Sequence, residues 1–116
     1  WELYATPRSK KTSFWLPERG TLTLKKSGLR VASQCKGTLN NSKDKDSYWT
    51  AEMAMPIADL TTPKQSFQPG SKWRILIARY NYNRYLPATE LSMTPQLSQT
   101  MYHLYEEYAL LKLAKK

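Results

Sequence analysis

At 116 residues the chain has the length of one small domain, and 41% hydrophobic residues with four Trp, eight Tyr and two Phe favour a folded protein over a disordered one. Eighteen Lys and Arg against nine Asp and Glu give a net charge of +9, but the cations are scattered, with short clusters only at Arg8–Lys11, Lys25–Lys26 and Lys115–Lys116, so a solvated surface is expected rather than a nucleic-acid site. One cysteine, Cys35, excludes an internal disulfide, one histidine, His103, excludes most histidine-rich metal sites, and no apolar run approaches the roughly 20 residues that cross a bilayer.

In chain order, "WELYA" (1–5) reads as a strand stopped by Pro7 and "TSFWL" (12–16) as a second stopped by Pro17. "TLTL" (21–24) is a weaker third. In "LRVASQCKG", Leu29, Val31, Ser33 and Cys35 share one face and Arg30, Ala32, Gln34 and Lys36 the other, the pattern of a half-buried strand in which Cys35 is a covered thiol rather than a nucleophile. "NNSKDKDS" (40–47) predicts a loop, because Asn, Asp and Ser satisfy their own backbone better than they extend a sheet. Within "YWTAEMAMPIADL" (48–60), the step of two puts Trp49, Ala51, Met53 and Met55 on a core face until Pro56, which lacks the N–H a ladder needs. "PIADL" then forms a single helical turn with Ile57 and Leu60 on one side.

"KWRILIARYNY" (72–82) is nearly continuous in apolar residues and predicts the strongest strand, with Trp73, Ile75, Ile77 and Arg79 on one face and Leu76, Ala78, Tyr80 and Tyr82 on the other. The last segment, "TMYHLYEEYALLKL", is open: Met101, Leu104, Tyr105, Tyr108 and Leu111 fit a helical stripe, while "YALLKL" fits a closing strand. The succession of short strands predicts a single all-β domain over residues 1–116, a two-sheet antiparallel sandwich with Trp49 and Trp73 in its core.

"WELYATP", "GTLN" (37–40), the acidic loop with Asp44 and Asp46, "YWTAEMAMPIADL", "PGSKWRILIAR" (69–79) and "YHLYEEYALLKL" (102–113) resemble, in order, the signature of carbohydrate-binding module family 9-like domains of the DOMON-like superfamily. The resemblance implies an immunoglobulin-like β-sandwich lacking its N-terminal strands, which a longer parent protein or a second chain would supply. Trp1 in place of a start methionine leads to the same expectation of a longer parent. It also implies that the ending, Tyr108–Leu113, is a strand.

In sugar-binding members two aromatic side chains clamp a chain-end sugar, and one of these corresponds to Tyr102. Tyr105 stands where the family has Pro, Ala109 where it has Gly, and Ala78 where some binders place a polar side chain. Sugar recognition needs flat apolar surfaces and a few fixed polar groups. Tyr80, Tyr82 and Tyr85, interleaved with Asn81, Asn83 and Arg84, supply a second such mixture beside the alternative of a solvated strand end. Arg79 matches a family arginine; facing Trp73, Ile75 and Ile77, it needs a carboxylate, with Glu52 as the expected partner, or a ligand.

Catalysis is not expected. A glycosidase places two carboxylates about 5–9.5 Å apart across one bond, and no two of the nine acids share a motif. Asp44 and Asp46 among lysines make a poor calcium site. Related sandwiches bind haem through Met with His or Lys, but Met93 and Met101 read as core filler and His103 has a counterpart in the family, so no cofactor and no metal are expected. Asn40-Asn41-Ser42 is an acceptor sequon, meaningful in a glycosylating compartment. The expected function is a non-catalytic carbohydrate-binding-like accessory domain of a secreted or cell-surface bacterial protein, located extracellularly, in the periplasm or on the cell surface. The alternative is a structural or protein-interaction sandwich without a sugar site.

Overall fold

The structure, a computed structural model, describes residues 1–15, 23–41 and 43–114. They form two compact units, Trp1–Phe67 and Gln68–Lys116. Both are built of short strands, and every strand pair among the described residues is antiparallel, so the chain is all-β as its punctuation predicts. The expected strand ends at Leu16 and Thr21–Leu22, the sequon's Ser42 and the Lys115–Lys116 cluster lie outside the described residues.

In the first unit, β1 (Glu2–Ala5), β2 (Lys11–Trp15) and β3 (Thr23–Leu24) make a three-stranded sheet in the order β1-β2-β3. Proline and polar residues turn the chain between β1 and β2: Thr6 N–H donates to the Lys10 carbonyl, and Ser9 takes a positive φ of 55°. Aromatic rings pin the sheet. Trp1 meets Trp15 edge to face at 5.3 Å, Tyr4 meets Phe14 at 5.7 Å, and the Lys25 ammonium lies 5.0 Å and 5.4 Å from the Trp1 and Trp15 rings. Ser13 is buried because its hydroxyl has partners there, donating to the Lys25 carbonyl at 2.6 Å and sharing a 2.8 Å hydrogen bond with Ser27 Oγ.

β4 (Arg30–Lys36) and β5 (Tyr48–Ala54) pair over their full length, Arg30 opposite Ala54 and Lys36 opposite Tyr48. Burial alternates strictly along β4, with Val31, Ser33 and Cys35 half-covered and their neighbours exposed. Ser33 shows the cause: its N–H donates to Ser9 Oγ and its hydroxyl to the Thr6 carbonyl, so the β1–β2 turn covers that face. Leu29, just before β4, is the one fully buried apolar side chain described in this unit, which contributes about 1.5–3 kcal/mol. The Lys11 ammonium donates to its carbonyl.

β5 ends at Ala54, and α1 (Ile57–Leu60) follows Pro56 as a single turn. Its dock is specific. The Asp59 carbonyl accepts from Trp1 Nε1 at 2.9 Å, and Asp59 Oδ2 accepts from Gly28 N–H at 2.8 Å. Leu60 is half-covered but Ile57 is 60% exposed, so the two do not share a buried side.

In the second unit the predicted continuous strand is two. β6 (Lys72–Ile75) and β7 (Ile77–Asn81) are separated at Leu76 and choose different partners. β7 pairs with β8 (Glu90–Thr94), Ile77 opposite Thr94 and Asn81 opposite Glu90. β6 pairs with β9 (Ala109–Lys112), Lys72 opposite Lys112 and Ile75 opposite Ala109. The ending is therefore a strand, preceded by a 3-10 turn at Tyr105–Glu107. The Arg74 guanidinium closes that turn by donating to the carbonyls of Glu106 and Tyr108, at 2.8 and 3.1 Å. Leu97 is buried, held by a loop in which Glu107 accepts from Ser98 N–H and Ser98 Oγ, both at 2.7 Å.

Two core assignments need correction. Trp49 and Trp73 are half-buried, and on β5 Ala51 and Met53, expected on the core face, are exposed. Alternation identifies which residues share a face; what lies against that face is decided elsewhere in the chain.

Candidate functional site

The tyrosine cluster gathers at the end of β7. Tyr80 lies on that strand with its side chain on the face of Ala78, while Tyr82 stands just past its end. The two rings lie within 14° of parallel with centroids 6.4 Å apart, and they are 48% and 80% exposed. Tyr102 comes from the loop before the 3-10 turn and meets Tyr80 edge to face at 5.4 Å. Its backbone is fixed by the Tyr108 hydroxyl, which donates to the Tyr102 carbonyl; Tyr108 is in turn packed on Tyr105, ring centroids 5.5 Å apart.

The Tyr102 hydroxyl is buried and makes no hydrogen bond with a described residue. Desolvation pushes its phenol pKa up, and the neighbouring Tyr80 adds to that. At neutral pH the group is a neutral phenol whose donor and acceptor capacity no described residue uses.

Beside Tyr82 the chain turns through Asn83 and Tyr85. Asn83 Oδ1 accepts from Tyr85 N–H at 2.9 Å, and the Asn83 carbonyl from Leu86 N–H at 3.1 Å. This turn borders a shallow hollow of about 390 Å³, lined by Tyr82, Asn83, Arg84 and Thr89 among others. Tyr85 is 75% exposed with the Arg84 guanidinium 5.2 Å from its ring centre. Asn81 Nδ2 donates to Glu90 Oε2 at 2.7 Å, tying the end of β7 to the start of β8.

Of the residues singled out from sequence, Tyr80, Tyr82 and Tyr102 therefore meet, and Tyr85 lies in the adjoining turn. Arg79 does not join them. It is exposed on the opposite face of β7, across from Ser92, where an exposed guanidinium has no need of a buried counter-ion. Glu52 is exposed on β5 in the other unit. Leu91, directly opposite Tyr80 and 37% exposed, extends the tyrosine face and was missed with the whole of β8; the alternation of Leu91 and Met93 after a turn-rich stretch was the available signal.

The acidic loop is explained locally. Asp46 Oδ1 accepts from Thr38 N–H at 2.8 Å and lies against Gly37, whose φ of 154° only glycine adopts readily. Burial, and then the charges of Asp46 and Asp44, push the Cys35 thiol pKa up, away from the thiolate a nucleophile needs. Among the described residues no three His, Cys, Asp or Glu side chains gather in a way that could hold a metal ion, and no helix is long and apolar enough to cross a membrane.

The arrangement offers flat, exposed apolar rings, amide and guanidinium groups on a turn, and a hollow between them. Groups of this kind are chemically able to hold a ligand by stacking and hydrogen bonding. Comparison with family models, with curated proteins and with solved structures found no match.

Proposed function

We propose that the chain is a non-catalytic, carbohydrate-binding-like β-sandwich accessory domain of a larger secreted or cell-surface protein, in which the tyrosines at the end of β7 stack against pyranose rings. The observation that carries this reading is the near-parallel, largely exposed Tyr80–Tyr82 pair beside the hollow at Asn83 and Arg84. Pyranose C–H faces match such rings, and the Asn83 and Arg84 side chains supply polar groups for hydroxyls. The motif resemblance to family 9-like modules supports the same class and an extracellular, periplasmic or cell-surface setting, in a bacterium. Arg79 lies on the face away from this platform and has no part in it.

The test is a glycan-array screen followed by titration of the best ligand against Tyr82→Ala and Tyr102→Ala. Loss of one stacking ring weakens binding by roughly 2- to 10-fold. No binding to any neutral or acidic glycan, or full affinity in Tyr82→Ala, removes the proposal. A second reading, a protein-interaction module, is favoured by the exposure of Ile77 and Leu110 in the second unit, both 62% accessible. It predicts capture of a protein partner that is lost on substituting these residues and insensitive to Tyr82→Ala.

A further inference from the structure

We propose that the end of the β6–β9 strand pair is an anion-binding site, formed by Lys72 and Lys112 beside the Gly70 turn, that takes a carboxylate or sulfate group of an acidic polysaccharide. Its polymer assignment rests on the carbohydrate reading; the anion site itself does not. Lys72 and Lys112 are directly opposite in the antiparallel register. Such pairs hold their Cβ atoms about 4.5–5.5 Å apart, and like charges so placed are destabilising.

The register cannot relax to separate them. Gly70 N–H donates to the Leu113 carbonyl at 2.9 Å, and Leu113 N–H donates to the Ser71 carbonyl at 3.3 Å. Ser71 Oγ accepts from Trp73 Nε1 at 3.2 Å and donates to the Gln68 carbonyl at 2.7 Å. Gly70 turns the chain with φ of 88°, and a hollow of about 440 Å³ opens there, lined by Gly70, Lys112, Leu113 and Ala114.

Other charged groups of this unit are engaged elsewhere. Arg74 is spent on the carbonyls of Glu106 and Tyr108, Glu90 accepts from Asn81, and Glu107 accepts twice from Ser98. Beyond the backbone ladder, the Lys72 and Lys112 ammonium groups make no hydrogen bond or ion pair with any described residue. An oxyanion seated between the two ammonium groups converts their repulsion into attraction, each lysine donating to one oxygen. A polysaccharide is the assigned source because the same unit carries the exposed tyrosine platform.

Affinity electrophoresis through gels containing polygalacturonate, dextran sulfate or neutral dextran tests this, with Lys72→Gln, Lys112→Gln, their combination, and Lys10→Gln as a control of equal charge change in the other unit. Each site variant should lose about 2- to 5-fold in affinity for the acidic polymers, and the pair more, with the control nearly unchanged. Lys112→Gln should also melt no lower than the parent chain, separating lost binding from lost folding. Equal losses in Lys10→Gln and the site variants would overturn the site in favour of diffuse charge. Tighter, lysine-dependent binding of single-stranded DNA of matched charge would overturn the polysaccharide assignment. If Tyr82→Ala leaves both neutral and acidic binding intact while the lysine variants lose the acidic polymers, the tyrosine platform fails and the anion site stands.

Discussion

Gly28→Ala should destabilise the first unit, because the space for a methyl group is already filled. A Cβ built on Gly28 falls 2.6 Å from Pro56 Cγ, 3.3 Å from Pro56 Cδ and 3.2 Å from Asp59 Oδ2. A proline ring cannot swing aside as a long side chain can, so α1 must move away from the segment that leads into β4. The shift stretches the 2.8 Å hydrogen bond from Gly28 N–H to Asp59 and disturbs the 2.9 Å bond that Trp1 Nε1 makes to the Asp59 carbonyl. Overpacking of this kind costs about 1–3 kcal/mol, and the reduced freedom of alanine in the unfolded chain offsets about 0.4–1 kcal/mol, so the mid-range values leave a net loss of about 1.3 kcal/mol. With a urea slope of about 2 kcal/mol/M, the unfolding midpoint falls by roughly 0.5–1 M. Tryptophan emission is the appropriate probe, since Trp1 reports on the dock directly. A midpoint that stays put or rises refutes the reasoning. So does a Gly28→Ala/Pro56→Ala double variant whose loss equals the sum of the single losses, because relief of the clash requires coupling.

Asp46→Ala should lower stability by about 0.5–1.5 kcal/mol through loss of the hydrogen bond to Thr38 N–H, and Gly37→Ala should cost more, as its methyl would overlap Asp46 Oδ1 at a strained φ; thermal melts of both variants check the order. The Ser98 backbone and hydroxyl hydrogen bonds hold the Glu107 carboxyl below its ordinary value of 4.5. A depressed folded-state pKa means the stabilisation is present above that value and is lost as pH falls through the folded pKa, so Ser98 amide exchange should accelerate on acidification in the parent chain and become insensitive to pH, apart from intrinsic exchange, in Glu107→Gln.

Most strands were legible where a short run ended at a proline or a polar cluster; β8, which stops before Pro95, was the exception. Val31, Ser33 and Cys35 are covered as their alternation predicts, because the β1–β2 turn happens to lie on that face and bonds to Ser33. The same alternation on β5 puts Ala51 and Met53 together without covering them. Leu76 carried no mark of a break: both halves of "KWRILIARYNY" are apolar, and the interruption follows from two partners, β8 and β9, that lie far apart in the chain. The ending was decided by pairing too, since Trp73 and Leu111 lie opposite each other in a ladder that a helical stripe cannot express.

For the site, residue type was more informative than contact. Tyr80 and Tyr82 are two positions apart where extended chain leaves β7, a spacing that puts them on one side and predicts their stacking. The same parity puts Arg79 on the other side. What parity could not give was Tyr102, brought to Tyr80 by a loop whose geometry depends on Tyr108 and Arg74.

The interruption at Leu76 also orders assembly in time. β8 returns to β7 across residues 82–89, whereas β9 must find β6 across residues 76–108. That is about two doublings of the intervening chain, an entropic handicap of about 1.2 kcal/mol. The local hairpin is therefore expected to close before the β6–β9 ladder, which brings its two facing lysines together at the end farthest from the loop.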